Sequence, residues 1–210
     1  MTSSGSAKDA MIEVAERMFA EKGIDGVSMR DVASAAGQKN NSAVQYHFGG
    51  RDGLLLEVFR RRMKEINRSR RQFLDDIDAD GRGHDVRALV EAVVLPLADY
   101  LRTSGTESYY AQFIARVSPM VDMGSPDLEA VSDASRAVSA RLIAALDHLP
   151  RRAAAARTAL MLNMAVSGLA MYEQLRAHGK AMESANFDET VAHLVDMSVG
   201  ALEAPFTPQP

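Results

Sequence analysis

The segment Gln38-Lys39-Asn40-Asn41-Ser42-Ala43-Val44-Gln45-Tyr46-His47-Phe48 gathers the side chains of this chain best suited to reading the edge of another molecule. Asn and Gln carry a donor and an acceptor in one plane and can grip an adenine edge through both, while Lys reaches guanine acceptors. Ala43 and Val44 are small enough to let such a segment lie close to the floor of a DNA major groove. The Asn40-Asn41 pair equally suits a turn and helix cap, and both readings stand on the sequence.

Such a segment works only if short helices hold it out rigidly, and the flanking sequence supplies them. The chain is rich in Ala, Leu, Met, Glu and Arg and shows no sustained alternation with β-branched residues, so it is predicted to be all-α. Residues 1–6 read as a polar tail. A first helix is expected from about Ala7 to Lys22, with Met11, Ala15, Met18 and Phe19 on one stripe and Gly23 as its stop. Ser28 with Asp31 makes a capping-box-like start for a second helix, and Val27 with Val32 occupies the two positions of a hydrophobic staple. Met29, Val32, Ala33 and Ala36 should face the core, and Gly37 ends the helix. A third short helix ends near Phe48, Gly49-Gly50 breaks it, and Asp52 is placed to cap a long fourth helix reaching about Asp76. Residues 78–85 (DADGRGHD) are the clearest loop. Further helices are expected near 85–103, 106–118, 126–148, 150–178 and 187–203, with Pro96 kinking the first of these and APFTPQP at the end disordered. Residues 1–50 are assigned to the reading head and 51–210 to a second helical domain.

The charge pattern agrees with that division. The net charge of -4 is unevenly spread: residues 1–70 hold twelve Lys and Arg against nine Asp and Glu, the remainder twelve against nineteen. A polyanion site therefore belongs in the N-terminal third. The basic run Arg60, Arg61, Arg62, Lys64, Arg68, Arg70 and Arg71 fits either a phosphate rail or the solvated face of a long helix. With no cysteine, disulfides and thiolate zinc sites are excluded. A Gly-rich phosphate loop, a His-Glu-x-x-His pair and an evident nucleophile–base pair are all missing, so the sequence argues against an enzyme, and neither cofactor nor metal is expected. Without a long uncharged apolar run or a signal-like start, a cytoplasmic protein without a membrane partner is expected.

The pieces AERMFAEKGIDGVSMRDVASAAG, NSAVQYHF and GGRDGLL, in this order and at these spacings, resemble the DNA-binding domain of the TetR family of bacterial transcriptional regulators. That pattern is an Ala-rich helix ending in Gly, then Thr/Ser-x-Arg-x-Ile/Val-Ala-x-x-Ala-Gly, a short helix ending Tyr-x-His-Phe, and a basic residue before an aliphatic helix. One departure stands out. Gln38 to Phe48 is eleven residues where the family has ten, so Gln45 takes the place of the family's Tyr and a Tyr follows at 46. The turn or the start of the third helix must absorb the extra residue. The resemblance implies an N-terminal three-helix DNA-binding domain with a helix-turn-helix, joined by a long helix to a C-terminal helical ligand-binding and dimerisation domain. It implies phosphate contacts from Ser28, Arg30, Tyr46, His47 and Arg51, and base reading by Lys39, Asn40, Asn41, Ser42 and Gln45. Ser28 is also explained by its cap alone, and Phe48 belongs in the core.

In the C-terminal part, Tyr109, Tyr110, Phe113, Met120, Met123, Met161, Met164 and Tyr172 are the residues from which an adaptable apolar cavity could be built, with Gln112, Arg116 and Asn163 as polar anchors. Residues 159–172 (ALMLNMAVSGLAMY) are apolar nearly all round and need cover on more than one side. Ala165 and Gly168 permit close helix approach, and Phe187, Val191, Leu194, Val195, Ser198 and Leu202 form a stripe on the last helix. Both features suggest a homodimer interface, as does the resemblance. The expected function is a homodimeric regulator, a repressor by the family's habit, released from palindromic double-stranded DNA by an unidentified small-molecule effector. The alternative is a helical small-molecule-binding or scaffold protein that no longer reads DNA.

Overall fold

Local signals define the head. In the computed structural model, which describes residues 4–40, 42–104, 108–117, 126–179 and 186–207, helix α1 (Ser4–Lys22) starts three residues earlier than expected and buries Met11, Ala15, Met18 and Phe19. Ser28 caps α2 (Met29–Ala35), its Oγ accepting from the Asp31 amide at 3.1 Å, and the Val27–Val32 staple is buried. Gly37, at φ +70°, closes α2. Its amide donates to the Ser34 carbonyl, and the Gln38 amide donates to that of Ala33 (2.9 Å), a Schellman closure whose positive φ, not any lack of space, favours glycine.

α3 (Ala43–Phe48) follows, and the left-handed Gly49 ends it. α4 (Arg51–Ala79) then runs from the head into the second half of the chain. Its N-cap position is Gly50, not Asp52; Asp52 lies one position inside, where its charge still suits the helix N-terminus. The basic run on α4 is largely occupied inside the protein. Arg61 pairs with Asp9 (2.9 Å), Arg62 with Glu16 (2.8 Å) and Arg71 with Asp133 (3.0 Å), and Arg70 is buried. These arginines tie α4 to its neighbours, which disfavours the rail.

The remaining described helices are α5 (Val86–Ser104), α6 (Tyr110–Val117), α7 (Pro126–Ala145), α8 (Arg151–Ala177) and α9 (Phe187–Glu203), with no strand among the described residues. α5 continues through the buried Pro96. α1 packs on both α4 and α6, α6 on α8, and α9 on α5 and α8. The head is thereby joined to the second half through α4 and through α6. An aromatic cluster fills the α1–α6 junction. Phe113 lies 6.3 Å from Phe19 and stacks on Tyr110 at 5.8 Å, and Tyr110 meets Tyr100 edge-on. Ala204 and Pro205, expected to be part of a disordered tail, are held instead. Arg157 donates to the carbonyls of Leu202 (3.1 Å), Ala204 and Pro205 (2.9 Å), which holds residues 204 and 205 against the end of α9.

Candidate functional site

α3 has two unlike faces. Ala43 and Val44 are buried and His47 and Phe48 half-buried, whereas Ser42, Gln45, Tyr46 and Gly49 are exposed. Ala43 and Val44 therefore do not face outward as the sequence suggested. In a six-residue helix the apolar pair at its start is needed to fasten it to the rest of the head. Tyr46 projects farthest, 83% exposed, its ring edge-on to His47 at 4.9 Å.

Asn40 closes the turn that leads into α3. Asn40 Oδ1 accepts from the Ser42 amide (2.9 Å) and the Asn40 carbonyl from the Ala43 amide (3.0 Å), an Asx turn that sets the helix direction. The Ser42 side chain makes no cap bond and remains available. Asn41 lies outside the described residues. Lys39, before α3, and Arg30, on α2, are exposed as well. Gln45 Nε2 donates to the Gly49 carbonyl at 3.2 Å, a surface bond that an incoming acceptor can replace. Arg51 is half-buried, its guanidinium donating to the Val27 carbonyl at 2.9 Å with Asp25 at 3.8 Å; it braces the turn before α2.

A second site lies in the other half of the chain. A cavity of about 310 Å³ opens among α4, α5, α6, α7 and α8. Phe59, Met63, Val94, Leu97, Ile114 and Leu162 supply apolar wall, while Arg70, Ser135, Ser139, Asn163 and Ser167 are the polar side chains at its surface. Of the residues expected to line such a cavity, Asn163 does so, and its amide donates back to the Ala159 carbonyl. Met120 and Met123 lie outside the described residues.

The others stand elsewhere. Tyr110 and Phe113 fill the α1–α6 junction, because wholly buried rings complete close packing and leave no void beside them. Tyr109 lines a separate groove with Glu16, Arg62 and Tyr100. Met161 is buried and Met164 half-buried off the cavity, and Tyr172 packs on Phe187 at 4.6 Å. Arg116 is exposed beside Gly23, at the end of α1.

Gln112 is engaged by Glu173. The backbone amide of Gln112 donates to Glu173 Oε2 at 3.0 Å and its Nε2 at 3.3 Å, so a carboxylate from α8 sits at the first turn of α6. Burial pushes the Glu173 carboxyl above the usual carboxylate range, opposed by the bonds from Gln112, Ser108 and Ala111.

Arg70, one of the basic run on α4, is turned inward and held by four neighbours. Its Nε donates to the Ala92 carbonyl (3.0 Å), Nη1 to Ser135 Oγ (2.8 Å) and Asn67 Oδ1, and Nη2 to the Val93 carbonyl (3.3 Å). Desolvation draws its pKa down to about 10, and it stays a cation at neutral pH. Nothing in the order of residues separates it from Arg68 or Arg71. Only the helical phase of α4, once buried positions such as Met63, Ile66 and Leu74 are known, turns it inward.

The expected dimer stripe is also placed inside the chain. Val191, Leu194, Val195, Ser198 and Leu202 are buried against α5 and α8, Phe187 is half-buried under Tyr172, and Ala165 lines the cavity. At Gly168 an added Cβ would come within 2.5 Å of a Leu194 methyl, so this glycine serves the α8–α9 approach within one chain. On α8 and α9 the large apolar side chains turned outward are Leu160 (69% exposed), Met171 and Met197. Only a third of the apolar window in α8 is buried.

Comparison with known proteins bears on the head and on the fold. The sequence model described as bacterial regulatory proteins, tetR family, matches residues 11–58, the stretch from the core of α1 to the first turns of α4. The HTH-type transcriptional repressor KstR2 of Rhodococcus jostii is 32% identical over 89 residues, 40% of this chain, and the chain matches only 38% of that repressor's length. Two crystal structures share the fold at 15% identity. A mutant of HlyIIR has a TM-score of 0.59 over 98% of this chain and all of that one, and AibR in complex with isovaleryl coenzyme A and operator DNA has 0.50 over 95% and 100%. Residues 11–58, where the helix-turn-helix is built, thus match the tetR family of bacterial regulatory proteins, and the chain shares its fold along its length with these two structures.

Proposed function

We propose that this chain is a cytoplasmic transcription regulator, a repressor, that binds palindromic double-stranded DNA as a homodimer and is released by a small apolar or amphipathic effector. The observation that carries this reading is the outward face of α3. An exposed Ser42, Gln45 and Tyr46 stand on a helix fastened by its buried apolar face, and Lys39, Asn40 and Arg30 of the same head are exposed too. Tyr46, His47, Ser28, Arg30 and Arg51 take the phosphate contacts, and Lys39, Asn40, Asn41, Ser42 and Gln45 the base edges. Phosphate contacts fix register and affinity, and base contacts fix sequence. The half-burial of His47 and the bracing role of Arg51 make Tyr46 and Arg30 the stronger of the backbone contacts.

The dimer is built on α8 and α9 of both copies. Its face is the ridge of Leu160, Met171 and Met197, with the inward residues Ala165, Gly168, Val191 and Leu194 keeping the two helices close behind it. A twofold pair sets two α3 helices about 34–36 Å apart, one turn of DNA. The cavity is the effector site. It shifts the dimer only if the effector binds the form with the wrong head spacing more tightly than the DNA-competent form. That AibR was crystallised with both isovaleryl coenzyme A and operator DNA supports pairing the two kinds of site in this fold.

Mobility shift with the DNA upstream of the chain's own gene tests the reading. Specific binding that weakens steeply between low and moderate salt is expected. Tyr46→Ala should weaken binding to all sequences alike, whereas Gln45→Ala should change the preferred sequence. Met197→Asp should convert the dimer to monomer in sedimentation. Absence of salt-sensitive specific binding there and at neighbouring promoters would instead favour a ligand-binding or scaffold protein.

A further inference from the structure

A cation inside an apolar cavity asks for an anion. Arg70 is 6% exposed and forms part of the cavity surface. Every acceptor it finds among the described residues is neutral: the Ala92 and Val93 carbonyls, Asn67 Oδ1, Ser135 Oγ and, at 4.0 Å, the Met63 sulfur. Asn67 and Ser135 are themselves joined, with Ser135 Oγ 3.1 Å from Asn67 Oδ1. These dipoles orient the guanidinium and fix it in place, but they do not cancel its charge. By contrast, Arg61, Arg62 and Arg71 of the same run each meet a carboxylate. A buried charge without an opposite charge is the least favourable state for an ion pair's half, and a ligand that supplies the other half relieves it.

The rest of the cavity limits what that ligand can be. Beyond Arg70 its wall is apolar on the sides formed by Phe59, Val94, Leu97, Ile114 and Leu162. The volume of about 310 Å³ accommodates on the order of ten non-hydrogen atoms. The hydroxyls of Ser135 and Ser139 on α7 lie on the same surface as Arg70. The guanidinium fork matches a carboxylate in shape as well as charge.

We infer that the effector is a medium-chain monocarboxylate, its carboxylate paired with Arg70 and steadied by Ser135, and its hydrocarbon tail lying among the apolar walls. This rests on the reading of the cavity as an effector site. It adds the chemical class: an anion with a short apolar tail, not a neutral or cationic lipophile. Binding exchanges the neutral partners of Nη1 for an anion, which would loosen the contacts that hold α4 to α5 and α7.

The test compares three chain-matched probes on the full-length protein: octanoate, octan-1-ol and octylammonium, each below its micellar range, by calorimetry and thermal shift. Octanoate should bind saturably and about tenfold or more tightly than octanol, and octylammonium should not bind. Arg70→Met should lose the preference for octanoate over octanol. Because Arg70 also fastens α4, that variant is read only if it unfolds cooperatively; the three-probe comparison on the unaltered protein stands by itself. Octanol binding as tightly as octanoate, or no octanoate binding, overturns the inference, as does a folded Arg70→Met that keeps the preference. The mobility shift separates the two readings. DNA binding without an octanoate response sinks the effector class alone, and an octanoate preference without any DNA binding sinks the regulator reading while the cavity chemistry survives.

Discussion

Arg51 and Arg70 lie on one helix, α4, and serve regions that use burial in opposite ways. At the Arg51 end, apolar side chains are turned in and polar ones out: Val44 is fully buried and Tyr46 on the same short helix is 83% exposed. At the Arg70 end the polar group is turned in, among apolar walls, and the large apolar side chains Leu160 and Met197 are turned out. The first arrangement suits a rigid edge offered to a polyanion in water. The second suits a small ligand held out of water and a second copy of the chain laid over the outside. Between them stands α6, packed against α1 on one side and α8 on the other, with a buried carboxylate at its first turn.

The comparison breaks most completely if that link is removed. Phe113→Ala should cost about 3–5 kcal/mol, because a wholly buried ring that touches both Phe19 and Tyr110 leaves a cavity behind. Urea denaturation should show a single transition moved to lower urea; two separated transitions would mean that head and cavity fold independently. Tyr46→Ala, on the exposed edge, should change stability by no more than about 0.5 kcal/mol while DNA affinity falls.

A smaller effect, confined to the head, is expected from Ser28→Ala. Losing the 3.1 Å bond to the Asp31 amide should cost about 1 kcal/mol, read as a lowered melting temperature. Effector-probe affinity should not move, since α2 does not reach the cavity.

The smallest effect is a change of slope. Burial holds the Glu173 carboxyl above its ordinary value of 4.5, so over the interval between the two values the folded chain keeps a proton that the unfolded chain has released. The stability contributed by that proton is present in acid and is lost as pH rises through the raised value. Glu173→Gln, which keeps the shape and cannot titrate, should flatten the fall of melting temperature above about pH 4.5. An unchanged slope would show that the charge at the start of α6 is not felt.

The head was largely legible beforehand because its determinants are close in sequence. A serine cap, a staple spanning five positions, glycines at positive φ and a short motif each act over a few residues. What the sequence misjudged there was the facing of Ala43 and Val44, since small residues suit either a groove floor or a core. In the second half, composition correctly announced an apolar helical bundle but not which apolar residues line empty space. Tyr110 and Phe113 fill a junction, while Ala115, Ala165 and Ile114 border the cavity. The stripe on α9 was a true stripe, but it turned to α5 and α8 of its own chain, leaving Met197 on the other side.

The amino-acid order by itself determined the helices, their stops and the polar reading segment, because capping, glycine geometry and hydrophobic period are properties of neighbours along the chain. The tertiary structure alone decided that Arg70 is a buried cation facing a cavity and that Leu160 and Met197 face outward. Those outcomes depend on the angle at which α4, α7, α8 and α9 meet, which is set by close packing of residues far apart in the chain.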